Sequence, residues 1–230
     1  MSPKYIAHRG KHLTCLENTC EAFECAIKEG YDGVETDIHL TKDKHWIIHH
    51  DPTIISNETI YDIKKLTLEE IKQMPLDNGF GKQYFCPTLE EYLKIMFGTG
   101  VQPVIEIKIK NATKQELKQM MKLVLKYFKL EEISIISFFP QPLIKLRTYY
   151  GKKLHLQLLV EPTHLYLVKF AWLFNLNLDI EHVCLTKEMI NSFHKKGLEV
   201  NAWTVNLKEL RDQFTIWGID ALTTDFLSKE

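Results

Sequence analysis

GVETDIHLTKDKHWIIHHD, residues 33–51, is the stretch whose reading decides the fold. Gly33 to Leu40 and His45 to His49 both read as strands, and only Thr41 to Lys44 lie between them. A parallel crossover needs a dozen residues or more, so these two runs must pair as a hairpin or bend apart. Elsewhere, short branched-residue runs alternate with amphipathic helical patterns, the order that builds a parallel sheet with crossover helices.

Working outward, the remaining strand patterns are Tyr5 to Ala7, Val104 to Ile109, Ile133 to Ser137, Leu154 to Val160, Ile180 to Leu185, Leu198 to Trp203 and Ile219 to Thr223. Helical patterns run from Glu17 to Glu29, Lys114 to Phe128, Leu143 to Tyr150, Leu165 to Leu176, Lys187 to Lys196 and Leu207 to Trp217. Leu117, Met121, Val124 and Phe128 show the helical period, and Gly30, Gly151, Gly197 and Gly218 stand where helices should stop. Eight parallel strands and one hairpin strand account for the nine runs. The expected fold is α/β, a (β/α)8 TIM barrel with an additional hairpin strand, although a doubly wound open sheet has the same periodicity.

Asp51 to Thr88 breaks the rhythm. This stretch is rich in Asn, Asp, Lys and Glu and carries one short helical pattern, Thr67 to Met74. A connection of this length is usually functional. We expect a capping insertion of about residues 52–88 over the mouth of a single domain spanning residues 1–230.

At 230 residues, with 45% apolar and 26% charged residues, the composition is that of one soluble globular domain. A net charge of -1 gives no electrostatic footprint for nucleic acid. Met1 to Lys4 lead straight into a strand without a secretory signal pattern. The five cysteines (Cys15, Cys20, Cys25, Cys86 and Cys184) form no CxxC pair, which points to reduced thiols and a cytoplasmic location. The apolar segment Leu165 to Leu178 carries Lys169 and Asn175 and is too short to span a bilayer, so it reads as a buried or interface helix without stable membrane insertion. Oligomeric state has no signature in the sequence.

The chemistry-bearing residues fall at strand ends. His8, Arg9 and Gly10 close the first strand, pairing a proton-transfer group with a rigid anion-binding fork. Glu35 and Asp37 share a strand face, with Cα atoms about 6–7 Å apart. Two carboxylates inside an apolar strand are costly unless a positive group lies between them. Glu106 and Lys108 repeat this spacing, either as a plain ion pair or as a third oxygen ligand for Mg²⁺ or Ca²⁺ with an ammonium beside it. Alternation alone leaves the choice between His49 and His50 open, and Asp51 can orient a ring nitrogen of either. Glu17 either braces the site or merely precedes the cap residues Asn18 and Thr19, and Trp203 is a pocket wall or a core aromatic. Cys15 reads as a small hydrophobe, and Thr224-Asp225 as a helix start.

In order and spacing, these residues resemble the glycerophosphodiester phosphodiesterase family. The resemblance runs through His8-Arg9-Gly10, Glu17-Asn18-Thr19, Gly33-Val34-Glu35-Thr36-Asp37, His50-Asp51-Pro52-Thr53, Pro87-Thr88-Leu89-Glu90-Glu91, Glu106-Ile107-Lys108, Ser137-Phe138, Trp203-Thr204-Val205-Asn206 and Thr223-Thr224-Asp225. It implies hydrolysis of small glycerophosphodiesters to glycerol 3-phosphate and an alcohol with one divalent cation. His8 and His50 would then be the acid/base pair, and Glu35, Asp37 and Glu106 the metal ligands. Arg9, Lys108 and Trp203 would contact substrate, with Glu17 and Asp51 in support. The resemblance selects His50 over His49. Leu16 replaces a common Pro, His49 adds a titratable group, and Ser56 to Ile63 is unusual for the family. Two other readings are a lysophospholipase D-like diesterase, with Leu165 to Leu178 as one wall of an acyl channel, and a barrel that binds phosphorylated ligands without turnover.

Overall fold

The computed structural model describes residues 2–228. In chain order its elements are β1 (Lys4–Ala7), α1 (Cys20–Lys28), β2 (Gly33–Leu40), β3 (Trp46–Ile48), β4 (Thr53–Ser56), β5 (Thr59–Asp62), α2 (Leu68–Lys72), α3 (Leu89–Met96), β6 (Gln102–Ile107), α4 (Lys114–Val124), β7 (Ser134–Ser137), α5 (Pro140–Tyr150), β8 (His155–Val160), α6 (Tyr166–Leu173), β9 (Asn177–Glu181), α7 (Lys187–His194), β10 (Val200–Trp203), α8 (Lys208–Trp217) and β11 (Ala221–Thr224). Strands β1, β2 and β6 to β11 are all parallel, and β1 pairs with both β2 and β11. The sheet therefore closes into a barrel, and the open-sheet alternative is excluded. Strand β3 runs antiparallel to β2, with Ile38 opposite Ile48 and Leu40 opposite Trp46, so residues 33–48 form the expected hairpin.

Strand alternation sorts the side chains into two populations. Outward-facing Val34, Ile38, Ile105, Ile135, Leu156, Leu178 and Val200 pack against Phe23, Tyr92, Leu117, Phe193 and Phe214 of the helices in one large core. The inner cluster is small: Ile6, Val104, Ile136 and Leu159, flanked by Phe138, Trp203 and Ala221. Many inward positions are buried polar groups instead, among them Glu35, Asp37, Glu106, Ser134, Asp179, Asn201 and Thr223. Apolar packing outside the sheet holds the barrel, which leaves the inside available for chemistry.

Several boundaries differ from expectation for identifiable reasons. Helix α1 starts at Cys20, not Glu17. Thr19 caps it by accepting from the Ala22 amide, and Asn18 sits at φ 56°, which no helix accommodates. Strand β9 begins at Asn177, three residues before the expected Ile180, because the apolar run ending at Leu178 divides between helix and strand; His182–Cys184 is a 3₁₀ turn. Helix α3 lies outside the expected helical patterns and is started by a capping box of Thr88 and Glu91. Residues 51–88 contain the β4–β5 hairpin and α2. They close around their own small core, in which Ile47, Ile54, Ile63, Ile71, Leu76 and Tyr84 pack with Cys15 and Cys86. Thr224-Asp225 does not start a helix within the described residues. Among them, no helix is long and apolar enough to cross a membrane.

Gly10 shows how tightly β1 is joined to α1. At φ +78° it lies so close to the helix that an added Cβ would meet the Ala22 backbone carbon at 2.7 Å. Gly197, at φ +69°, has open space at the same point. Gly10→Ala should therefore cost more than the roughly 1–3 kcal/mol of backbone strain that both substitutions incur. Thermal unfolding of Gly10→Ala and Gly197→Ala checks this; equal melting temperatures would contradict the packing.

Candidate active site

Strands β2 and β6 lie in parallel register with Asp37 opposite Glu106. Glu35, Asp37 and Glu106 each offer an oxygen within 4.8 Å of the others, and all three residues are buried. Lys108 Nζ stands 3.3 Å from Asp37 Oδ1 and 3.1 Å from Glu106 Oε1. Arg9, at φ 54°, donates its backbone N–H to Glu35 Oε2 (2.9 Å) and Nη1 to Glu17 Oε1 (2.8 Å), and its Nε lies 3.4 Å from Asp37 Oδ2. Asn18 donates to Asp37 Oδ2 at 2.9 Å and accepts from the Thr36 hydroxyl. Its left-handed backbone, costly in a helix, directs this amide at β2.

The two histidines have matching anchors. His8 Nδ1 is 2.8 Å from Asp225 Oδ1, and Asp225 Oδ2 accepts from Asn206 Nδ2 at 2.6 Å. Burial opposes ionisation of Asp225, but the His8 and Asn206 hydrogen bonds outweigh it and bring the carboxyl down to about 2. An ionised carboxylate only accepts, so His8 Nδ1 carries the hydrogen and Nε2 remains for a ligand. His50 Nδ1 is likewise 2.8 Å from Asp51 Oδ1. Burial, then Lys108 and Arg9, lower the pKa of His50.

Some of these groups line one cavity of about 110 Å³, whereas Asp37, Glu17 and Asp51 do not. Its charged wall is His8, Arg9, Glu35, His50, Glu106 and Lys108. Ile136, Phe138, Leu159 and Trp203 form an apolar wall, with Trp203 edge-on to Phe138 at 5.5 Å. Residues 165–178 do not line this cavity. His49 does not line it either; its Nδ1 pairs with the Asp51 carbonyl. Nor do residues of the insertion line this cavity. With Leu16, Glu17, Asn18 and His49 to Asp51, its residues Thr53, Ile55, Leu76 and Asp77 line a second recess of about 150 Å³ that shares His50. Cys15 lies elsewhere, its thiol bonded to the Lys11 carbonyl. Asp225, Asn206 and Asp179 were missed in the sequence. The Asn206 and Asp225 motifs were visible there, but their partnership with His8 depends on barrel closure.

The cluster suits a hard cation. Burial pushes Glu35 well above the usual carboxylate range, and Asp37 and Glu106 add to this; burial and Asp37 carry Glu106 up to about 8. Asp37 moves the other way, to about 2, because Lys108 and Arg9 outweigh its burial. Arg9 and Lys108 thus provide two positive charges for three carboxylates. Glu35 Oε1 is buried with no hydrogen-bond partner. Three oxygen donors with one unsatisfied atom fit Mg²⁺ or Ca²⁺ better than a soft metal.

Residues 8–229 match the model of the Glycerophosphoryl diester phosphodiesterase family. A glycerophosphodiester phosphodiesterase of Caldanaerobacter subterraneus is 31% identical over 98% of this chain and 95% of its own length. Among solved structures, a phosphodiesterase of Oleispira antarctica in complex with the product sn-glycerol-3-phosphate superposes with a TM-score of 0.86 at 22% identity, covering 97% of this chain and 93% of its own. The glycerophosphodiester phosphodiesterase of Thermotoga maritima gives 0.78 at 25% identity over 98% of this chain and 95% of its own.

Cation binding can be read without any substrate. A saturating divalent ion at about one hundred times its Kd adds ~2.7 kcal/mol of stability, or about 5–10 °C in melting temperature for a chain of this size. Mg²⁺ or Ca²⁺ should produce this rise in the native protein and lose it in Glu106→Gln and Asp37→Asn. Glu35 and Glu106 must release protons to bind the ion, so the rise should be larger at about pH 8 than at about pH 6. A melting temperature indifferent to both ions would refute the site.

Proposed function

The chain belongs to the glycerophosphoryl diester phosphodiesterase family, and on that premise we propose that it hydrolyses small glycerophosphodiesters to glycerol 3-phosphate and an alcohol. The observation that carries this reading is the convergence of His8, His50, Glu35 and Glu106 on one cavity, with Asp37 beside the two glutamates and each histidine with its Nδ1 already engaged. The product bound in the Oleispira antarctica structure supports the assignment of substrate class.

Glu35, Asp37 and Glu106 would hold one Mg²⁺ or Ca²⁺, which supplies electrostatic stabilisation of a phosphoryl oxygen. Arg9, fixed by Glu17 and Asp37, presents its fork to the same phosphate, and Lys108 adds a point charge. One histidine takes a proton from the nucleophile through Nε2, and the other gives a proton to the departing alkoxide. The nucleophile is water or a neighbouring glycerol hydroxyl. Asp225 and Asp51 hold the ring tautomers that this exchange requires. Trp203 and Phe138 line the apolar side and exclude water from the reacting diester. The free thiols support a reducing compartment, so the cytoplasm is the proposed site of action.

Hydrolysis of glycerophosphocholine and glycerophosphoethanolamine tests these roles. His8→Ala and His50→Ala should each lower kcat by about 10²-fold or more. Chelation should abolish turnover, and Mg²⁺ or Ca²⁺ should restore it. Asp225→Asn should lower kcat about 10- to 100-fold with little change in KM, since it frees the His8 ring to turn. Full activity in either histidine variant, or after thorough chelation, defeats the mechanism. Lysophosphatidylcholine should be a poorer substrate than its deacylated counterpart.

A further inference from the structure

The floor of the cavity carries a polar group that the proton-transfer and phosphate-binding roles leave unused. Asp179 on β9 is 1% exposed and lines the cavity. Its Oδ1 accepts from Asn201 Nδ2 at 2.9 Å, and its Oδ2 has no partner among the described residues. The same Asn201 nitrogen donates its other hydrogen to Thr223 Oγ1, also at 2.9 Å. Thr223 lines the cavity as well, and because its oxygen already accepts from Asn201, its own hydrogen remains to be donated. Burial pushes the Asp179 carboxyl up to about 7 against the lowering effect of Asn201. Asp179 Oδ2 therefore faces the cavity with no protein donor on it, an acceptor open to a ligand's hydrogen.

We propose that Asp179 and Thr223 form a hydroxyl-recognition subsite at the cavity floor, which binds a free hydroxyl of the substrate's glyceryl group. An alcohol oxygen both donates and accepts. Asp179 Oδ2 takes its hydrogen and the Thr223 hydroxyl donates to its lone pair, an arrangement that an amine head group, with no lone pair when charged, cannot complete. Asn201 holds the two groups in register from the intervening strand β10. Phe138 and Trp203 beside them suit the glyceryl carbons. The subsite rests on the phosphodiesterase reading, because that reading assigns Arg9, Lys108 and the cation cluster to the phosphate.

Equilibrium binding separates recognition from any chemical role of the hydroxyl. Titrating the native protein with glycerol 3-phosphate and with n-propyl phosphate, both with Mg²⁺ present, should show at least about tenfold tighter binding of the hydroxylated ligand, since a site built for a hydroxyl is left unpaired without it. Asp179→Leu and Thr223→Val should each bring that preference below about threefold while retaining affinity for propyl phosphate. Thr223→Val preserves shape and provides a second test if Asp179→Leu fails to fold. Equal affinity of the native protein for the two phosphates, or equal weakening of both ligands in the folded variants, overturns the subsite. Retained turnover of glycerophosphocholine alongside such a result leaves the phosphodiesterase reading standing. Binding of neither ligand together with no turnover defeats both.

Discussion

Three buried carboxylates within 4.8 Å of one another at the mouth of a barrel are the constraint on which the rest of this structure depends. Like charges removed from water repel strongly, and their own protonation is the default escape, as the upward shifts of Glu35 and Glu106 show. The surrounding chain works against that escape. Lys108 reaches between Asp37 and Glu106, Arg9 takes a left-handed backbone that brings its N–H to Glu35, and Asn18 takes another that brings its amide to Asp37. Asp37 receives most of this support and stays ionised, whereas Glu35 Oε1 receives none. The cluster is thus stabilised unevenly, with an oxygen left for an ion.

Such an interior contributes little apolar packing, so stability must come from elsewhere. The inner cluster is centred on four buried apolar residues, while the sheet–helix layer joins all the strand exteriors to the helices. Catalytic polarity and structural apolarity therefore occupy opposite faces of the same strands. The period of two in a strand makes this separation possible, since Val34, Ile38 and Ile105 support the outer layer from positions adjacent to Glu35, Asp37 and Glu106.

The same periodicity explains what was legible in the sequence. The i,i+2 pairs Glu35/Asp37 and Glu106/Lys108 announce their shared faces locally, and the four-residue link after Leu40 excludes a parallel crossover, leaving the hairpin that the structure adopts or a bend apart. His49 and His50 could not be separated locally, because strand β3 ends at Ile48 and the backbone direction beyond it depends on Asp51 and the insertion. Asp225 looked like a helix start, and its pairing with His8 spans nearly the whole chain. Asp179 falls between the helical pattern that ends at Leu176 and the strand pattern that starts at Ile180, whereas β9 spans Asn177–Glu181, so its facing is not legible locally. What the sequence hid was everything that depends on which strands become neighbours when the barrel closes.

Closure also makes the two histidines unequal. Asp225, the anchor of His8, is itself held by Asn206, and its side chain is 26% exposed. Asp51, the anchor of His50, is 65% exposed and adjacent in sequence to its histidine. His8 is thus fixed by strands on both sides of the barrel seam, while His50 stands between the cavity and the recess built by the insertion. Residues 53–77 contribute to the surroundings of His50 and, through Glu17 in the same recess, to those of Arg9, whereas His8 and Asp179 do not line that recess. The cavity lined by barrel strands is thus distinct from the recess that the insertion helps to build, and the insertion packs on the barrel through a small core shared with Cys15, Ala22 and Ile47.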